Sequence, residues 1–137
     1  MGDRRRLPSP GGGPPRLVLA ATNLLFQSRI AETARALGFE VAVGTSDDTV
    51  GEALRARPVA ALLVLDLQAD GVSWRAAVAA AGQAPGGPVP VLAYGQHTKP
   101  ALLRAARAAG CDLVVPRSTL VAELPSLIGR LASAANR

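Results

Sequence analysis

The sequence is poor in aromatic residues, cysteine, histidine and lysine. Two Phe, one Tyr and one Trp occur among 137 residues, so any core must be built from aliphatic side chains. Cys111 is the single cysteine, which excludes an internal disulfide and a zinc site made of several cysteines. No apolar run approaches the ~20 residues needed to cross a membrane, and the first residues lack the apolar segment of a signal peptide. These absences predict a cytoplasmic protein.

Charge is present but modest. The formal net charge is +5, and Arg4, Arg5 and Arg6 beside Asp3 contribute +2 of it. A basic protein can bind nucleic acid by neutralising phosphates. Here, however, no helix is strongly basic and no aromatic residues are interleaved with the arginines. The pattern therefore argues against nucleic-acid binding.

The first 15 residues differ in composition from the remainder. They contain four prolines and the run Gly11 to Gly13, which cannot sustain a helix or a strand. We expect residues 1–15 to be a disordered tail. Residues 16–137 have the length and apolar content of one domain.

From Arg16 onward, short apolar runs alternate with helical patterns. The runs lack polar alternation, which is typical of strands buried on both faces of a sheet. The predicted strands are Leu17–Ala21, Val41–Gly44, Ala61–Asp66, Val89–Tyr94 and Leu113–Val115. The predicted helices are Leu24–Leu37, Asp47–Arg57, Ser73–Ala81, Thr98–Ala109 and Leu124–Ala135.

Capping residues set the helix limits. Asn23 is a good cap for the first helix, and Gly38 is a good residue to end it. Thr98 is the predicted cap of the fourth helix. Pro125 suits the first turn of the last helix but not its interior, so residues 119–123 are predicted to form a separate turn.

Five strand–helix units in succession predict an α/β fold. Such a chain forms a five-stranded parallel sheet, doubly wound, with right-handed crossovers and helices on both faces. The flavodoxin-like strand order is 2-1-3-4-5, and its functional residues lie at the carboxyl ends of the strands. Here those ends are residues 21–23, 66–67, 95–96 and 116–117.

Three stretches near these ends carry a family resemblance. They are LLVLDL at 62–67, PVLAYG at 90–95 and AGCDLVVPR at 109–117. Over about residues 16–135 the chain resembles the CheY-like receiver domain of bacterial response regulators. In a working receiver an acidic pair after the first strand holds Mg²⁺, and an Asp after the third accepts a phosphoryl group. A Thr or Ser follows the fourth strand and a Lys the fifth.

This chain matches that pattern unevenly. Asp66 falls at the phospho-acceptor position. The acidic pair falls on Ala21 and Thr22, which have no carboxylate to offer Mg²⁺. Gly95 takes the place of the hydroxyl residue, and Arg117 the place of the Lys, for which Arg is not an equivalent substitute. The resemblance therefore implies a pseudo-receiver, a receiver-like module that acts without normal Asp phosphorylation.

Three functions stay open. The favoured interpretation is a non-enzymatic pseudo-receiver without a cofactor, in which Asp66 is a structural acid paired with Arg117. The alternative is a phosphorelay receiver, phosphorylated at Asp66 with Mg²⁺. A small flavodoxin-like ligand-binding protein or enzyme is the third. The stretch ATNLLF after the first strand has no glycine-rich phosphate loop, which argues against nucleotide or flavin binding.

A protein partner is expected in the favoured interpretation, partly because the sequence ends at Arg137 with no room for an output domain. In receivers, helix four, strand five and helix five form the usual contact face. Arg104 and Arg107 project there from helix four, and Leu120 and Val121 precede the last helix. This face is interpreted as a docking site for an acidic partner or as a homodimer interface. A solvated basic face is the simpler alternative.

Overall fold

The computed structural model describes residues 13–135, and the predicted tail therefore lies largely outside the described residues. The described chain contains a parallel sheet of five strands in the order β2-β1-β3-β4-β5, which confirms the predicted α/β topology. No helix within residues 13–135 is long and apolar enough to cross a membrane. The elements in chain order are β1 Arg16–Ala20, α1 Leu24–Ala36, β2 Glu40–Gly44, α2 Asp47–Arg55, β3 Leu62–Asp66, α3 Trp74–Gly82, β4 Val91–Gly95, α4 Pro100–Ala108, β5 Leu113–Pro116 and α5 Arg117–Ala135.

The sheet has a separate aliphatic core on each face. Side chains alternate along a strand, so Leu17 and Leu19 of β1 face α1 and α5. Val18 and Ala20 face α2, α3 and α4. Every residue of β3 and β4 is buried. The central strands therefore fix the positions of their own carboxyl ends, where loops leave the sheet.

Several helix ends follow the predicted caps. The Asn23 side chain accepts a hydrogen bond from the Phe26 N–H at the start of α1, and Gly38 follows the helix with a positive φ of 97°. Ser46, which was not among the predicted caps, caps α2 in a reciprocal pair with Thr49. These local hydrogen bonds satisfy backbone N–H groups that have no partner inside the helix.

One predicted cap is wrong, and one predicted boundary is confirmed in part. The cap of α4 is Lys99, whose side chain makes no capping bond, and Pro100 opens the helix. Residues 119–123 are mostly helical rather than a turn, because helix begins at Arg117, but a kink separates them from the last helix as predicted. Glu123 alone is non-helical (φ −123°, ψ 20°). Pro125 explains this break, because its ring excludes the preceding helical turn and it has no N–H to donate.

Gly44 marks a close approach between β2 and α2 and provides a test of the packing. A Cβ atom at Gly44 would lie 2.6 Å from Val50 Cγ2 and 3.0 Å from the Val50 backbone. We expect Gly44→Ala to lower the free energy of unfolding by about 1–3 kcal/mol through overpacking. The matched control is Gly82→Ala at the end of α3, where a Cβ meets nothing within 4 Å. Urea titration should show Gly82→Ala to be neutral or stabilising, and equal effects of the two would contradict the packing.

Candidate functional site

Asp66 lies at the carboxyl end of the central strand β3 and is the single buried charged residue of the described chain, with 3% of its surface exposed. Its Oδ1 accepts a hydrogen bond of 2.8 Å from the Gln68 N–H. Burial raises the pKa of the Asp66 carboxyl, while the Gln68 N–H, Arg117 and Tyr94 partly oppose the shift. Asp66 is therefore held by its own loop in a place that disfavours its charged form.

Tyr94 is the neighbour of Asp66 on the adjacent strand. It pairs with Asp66 across β3 and β4 and is fully buried. Its hydroxyl makes no hydrogen bond of good geometry, although it lies near enough for Asp66 to raise the pKa of Tyr94 further, after burial. The Tyr94 hydroxyl therefore partly offsets the effect of burial on the pKa of Asp66, although no hydrogen bond of good geometry joins the two groups.

Ala21 and Thr22 occupy the two positions at which a working receiver has its acidic pair. Ala21 directly follows β1 and is fully buried, and its carbonyl accepts a hydrogen bond of 2.8 Å from Gln27 Nε2. Thr22 is half-buried in the loop. Mg²⁺ needs several oxygen ligands, usually including carboxylates. Among the described residues no three His, Cys, Asp or Glu side chains are grouped to hold a metal ion, so the residues present do not fit Mg²⁺.

Gln68 is a site residue that the sequence reasoning missed. Its Oε1 accepts a hydrogen bond of 2.8 Å from the Gln96 N–H and so joins the loop after β3 to the loop after β4. A Cβ atom added to Gly95 would lie 3.4 Å from this Oε1 atom and 3.3 Å from Leu103 Cδ2. The space of a receiver's hydroxyl side chain is therefore partly filled. The available signal was an amide two residues after Asp66.

Arg117 does not pair directly with Asp66, contrary to the sequence interpretation. Within residues 13–135 no hydrogen bond or ion pair joins them, and Arg117 lowers the pKa of Asp66 only through space. The guanidinium instead lies over the Phe26 ring, with Cζ 4.6 Å from the ring centroid. An aromatic face attracts a cation, and Phe26 on α1 draws the long Arg side chain toward that helix.

Only some residues of the predicted contact face are exposed. Leu120 is fully buried, so its assignment to a partner surface is wrong. It turns inward because helical spacing places it with Leu124, Leu127 and Ile128 in the core. Arg104 is exposed, Val121 is half-buried, and Arg107 donates a hydrogen bond of 3.3 Å to the Val114 carbonyl.

Two exposed leucines lie closer to the strand ends than the predicted contact face does. Leu24 and Leu25 begin α1 and have 73% and 69% of their surfaces exposed. They follow the loop that contains Ala21 and Thr22. Among the large hydrophobic side chains of the described residues, these two are the most exposed.

Comparison with known proteins supports the fold and adds a contrast at the site. No protein-family model matches the chain, and no curated protein is similar in sequence. A putative response regulator from Chloroflexus aurantiacus superposes with a TM-score of 0.76 at 16% identity, covering 88% of this chain and 98% of that one. The receiver domain of the sensor histidine kinase PA1611 from Pseudomonas aeruginosa, which coordinates magnesium in its active-site cleft, gives 0.73 at 19% identity, covering 87% and 98%.

A third neighbour is longer. NtrX from Brucella abortus, in complex with ADP, gives a TM-score of 0.75 at 16% identity, and the match covers 88% of this chain but 27% of NtrX. The chain thus spans about a quarter of that protein. These neighbours confirm the CheY-like receiver fold that the resemblance implied.

The buried Asp66 leads to a pH-dependent prediction. A raised pKa means that the native state holds the proton more tightly, so the stability contributed by Asp66 is full below its unfolded pKa of ~3.9 and is lost as pH rises through the folded value. Asn has no such dependence. We expect the melting temperature of Asp66→Asn, relative to the native sequence, to rise between pH 3 and pH 7. A difference that stays flat or falls would contradict the burial cost.

The Gln68 bridge can be tested separately. Gln68→Ala should leave the Gln96 N–H without its acceptor, lower stability by about 0.5–1.5 kcal/mol and speed hydrogen exchange at Gln96. Gln83→Ala, at an exposed residue after α3, is the control. Unchanged exchange at Gln96 in Gln68→Ala would show that the bridge does not hold in solution.

Proposed function

We propose that the chain is a non-enzymatic pseudo-receiver that acts in signal transduction through protein contact, without normal phosphorylation of Asp66. The observation that carries the proposal is the donor set at the strand ends. Asp66 is the sole carboxylate among the ends of β1, β3, β4 and β5, and 3% of it is exposed. A phosphoryl group in transfer carries spread negative charge that metal ions and cations must neutralise, and Asp66 alone is a poor site for Mg²⁺.

Three further observations support the same proposal. Gln68 fills space near Gly95 and fastens two of the loops that surround Asp66. Arg117 lies over Phe26 rather than beside the carboxyl group. The raised pKa of Asp66 lowers the fraction of the nucleophilic carboxylate at a given pH. Each of these three features opposes phosphoryl transfer to Asp66. Together they favour a structural role for Asp66.

The second candidate function is a phosphorelay receiver that accepts a phosphoryl group on Asp66. The position of Asp66 at the end of the central strand favours it, as does the nearby positive charge of Arg117. The two candidates differ in one measurable property, which is a response to Mg²⁺ and a phosphoryl donor.

Incubation with acetyl phosphate and Mg²⁺ should add no phosphoryl mass, as measured by intact-protein mass spectrometry. Beryllofluoride with Mg²⁺ should leave the melting temperature unchanged. Saturating ligand at 100 times its Kd stabilises a protein by about 2.7 kcal/mol, which corresponds to several degrees in a domain of this size. A shift of that size, or a phosphoryl mass that disappears in Asp66→Asn, would overturn the pseudo-receiver and establish the phosphorelay alternative. A magnesium-binding receiver assayed in parallel is the positive control.

For protein contact we favour the surface around Leu24 and Leu25 over the face of α4, β5 and α5. A two-fold dimer buries the same patch on both copies. On the α4 face it would bring Arg104 and Arg107 toward their own equivalents, and Leu120 is unavailable because it is buried. The exposed leucines offer apolar area without like-charge repulsion.

Sedimentation velocity can compare the two surfaces. Leu24→Ser with Leu25→Ser should weaken any association of the chain while changing its stability by no more than ~0.5 kcal/mol, as is usual for surface positions. Arg104→Ser with Arg107→Ser is the matched double variant for the α4 face. Association that weakens in the arginine variant and not in the leucine variant would place the contact on α4.

A further inference from the structure

A pocket of about 640 Å³ opens between the start of α1, the loop after β4 and the first turns of α5. Its volume lies in the range of ~300–1,000 Å³ that small-molecule sites occupy. Asp66 does not line it. The pocket therefore shares Gln96 and Arg117 with the strand ends but does not include the carboxyl group of Asp66.

The charged lining of this pocket is of one sign. Arg29 and Arg117 line it beside His97, and no carboxylate does. Within the described residues, neither arginine has a hydrogen bond or ion pair, and the buried Arg117 Nε has no partner. A guanidinium carries five N–H donors, and a buried donor without a partner costs free energy. Arg117 thus holds a buried donor without a partner, and the exposed Arg29 brings a second guanidinium to the same space.

The remaining lining is suited to the other half of an amphipathic ligand. Thr98 and Ser118 contribute hydroxyl groups, while Phe26 and Val121 contribute apolar surface. Arg117 covers one side of the Phe26 ring at 4.6 Å, so a cation and an aromatic surface are held together. A ligand with a flat apolar part and an attached anion complements both.

We propose that this pocket binds a small organic anion with a flat apolar portion, such as an aryl phosphate or an aryl carboxylate. Arginine pairs with both groups through two parallel N–H···O bonds. The inference goes beyond the proposed function, because it supplies the domain with a chemical input. Arg117 interacts with Asp66 through space, so an anion at Arg117 also alters the field at the strand ends. The proposed binding of the anion does not depend on whether Asp66 is phosphorylated.

The test is a titration followed by amide chemical shifts in NMR spectra of the whole chain. The probes are 1-naphthyl phosphate, 1-naphthoate, neutral 1-naphthol and inorganic phosphate. We expect at least one naphthyl anion to shift the amides of Gln96, His97 and Ser118 saturably. Naphthol and inorganic phosphate should bind at least about tenfold more weakly, because each lacks one half of the recognised chemistry.

Variants locate the binding. Arg117→Gln and, independently, Arg29→Gln should each raise the Kd for the naphthyl anion about tenfold or more, since each removes a charge-assisted contact. Arg104→Gln, which removes the same charge from an exposed position outside the pocket, should leave the Kd unchanged. Melting curves confirm that each variant is folded, and Arg29→Gln decides the question if Arg117→Gln unfolds.

Four results would overturn the proposal. Equal loss of binding in Arg104→Gln would show attraction by net charge alone. Equal binding of naphthol would show an apolar crevice without anion recognition, and equal binding of inorganic phosphate would show a simple anion site. Absence of saturable shifts at Gln96, His97 and Ser118 would likewise exclude a ligand in this pocket.

Discussion

Parallel pairing of the five strands determines where chemistry can occur in this chain. Parallel strands buried on both faces need covering helices, so every loop that leaves a carboxyl end emerges at the same edge. The register aligns Ala20 with Leu65 and Asp66 with Tyr94. The side chains that follow these strands therefore meet whatever their identity. The identity of each residue then decides whether the meeting place is a metal site, a phosphoryl acceptor or packed structure.

Most of the fold was predictable because its signals are local. Uninterrupted apolar runs indicated buried strands, and Asn23 and Gly38 indicated both ends of α1 through hydrogen-bonding and backbone geometry that neighbouring residues supply. The limits of α5 were harder to predict, because Pro125 indicates a break in the helix but does not indicate whether helical residues precede that break. Leu120 was misplaced for the same reason, because inward or outward orientation depends on where the helix begins.

The site was predictable in its residue types but not in its contacts. Position along the strands sufficed to place Asp66, Ala21, Gly95 and Arg117 at the carboxyl ends of the sheet. Side-chain direction depends on neighbours that are distant in sequence, such as Phe26 for Arg117 and Gln96 for Gln68. An arginine side chain has enough length to reach either a carboxylate or an aromatic ring, and here it lies over Phe26. Composition does not contain that information.

The packing around Gly95 and Ala21 bears on how such a domain can change over generations. A carboxylate introduced at buried Ala21 would place a second acid beside Asp66, and like charges in a desolvated space are costly. A hydroxyl side chain at Gly95 would crowd Leu103 and Gln68. Each single substitution toward the residue pattern of the receiver family at these two positions thus weakens the fold before any metal can compensate. The packing therefore leaves evolution freer to alter the exposed surface of the domain than to change the buried residues at the strand ends.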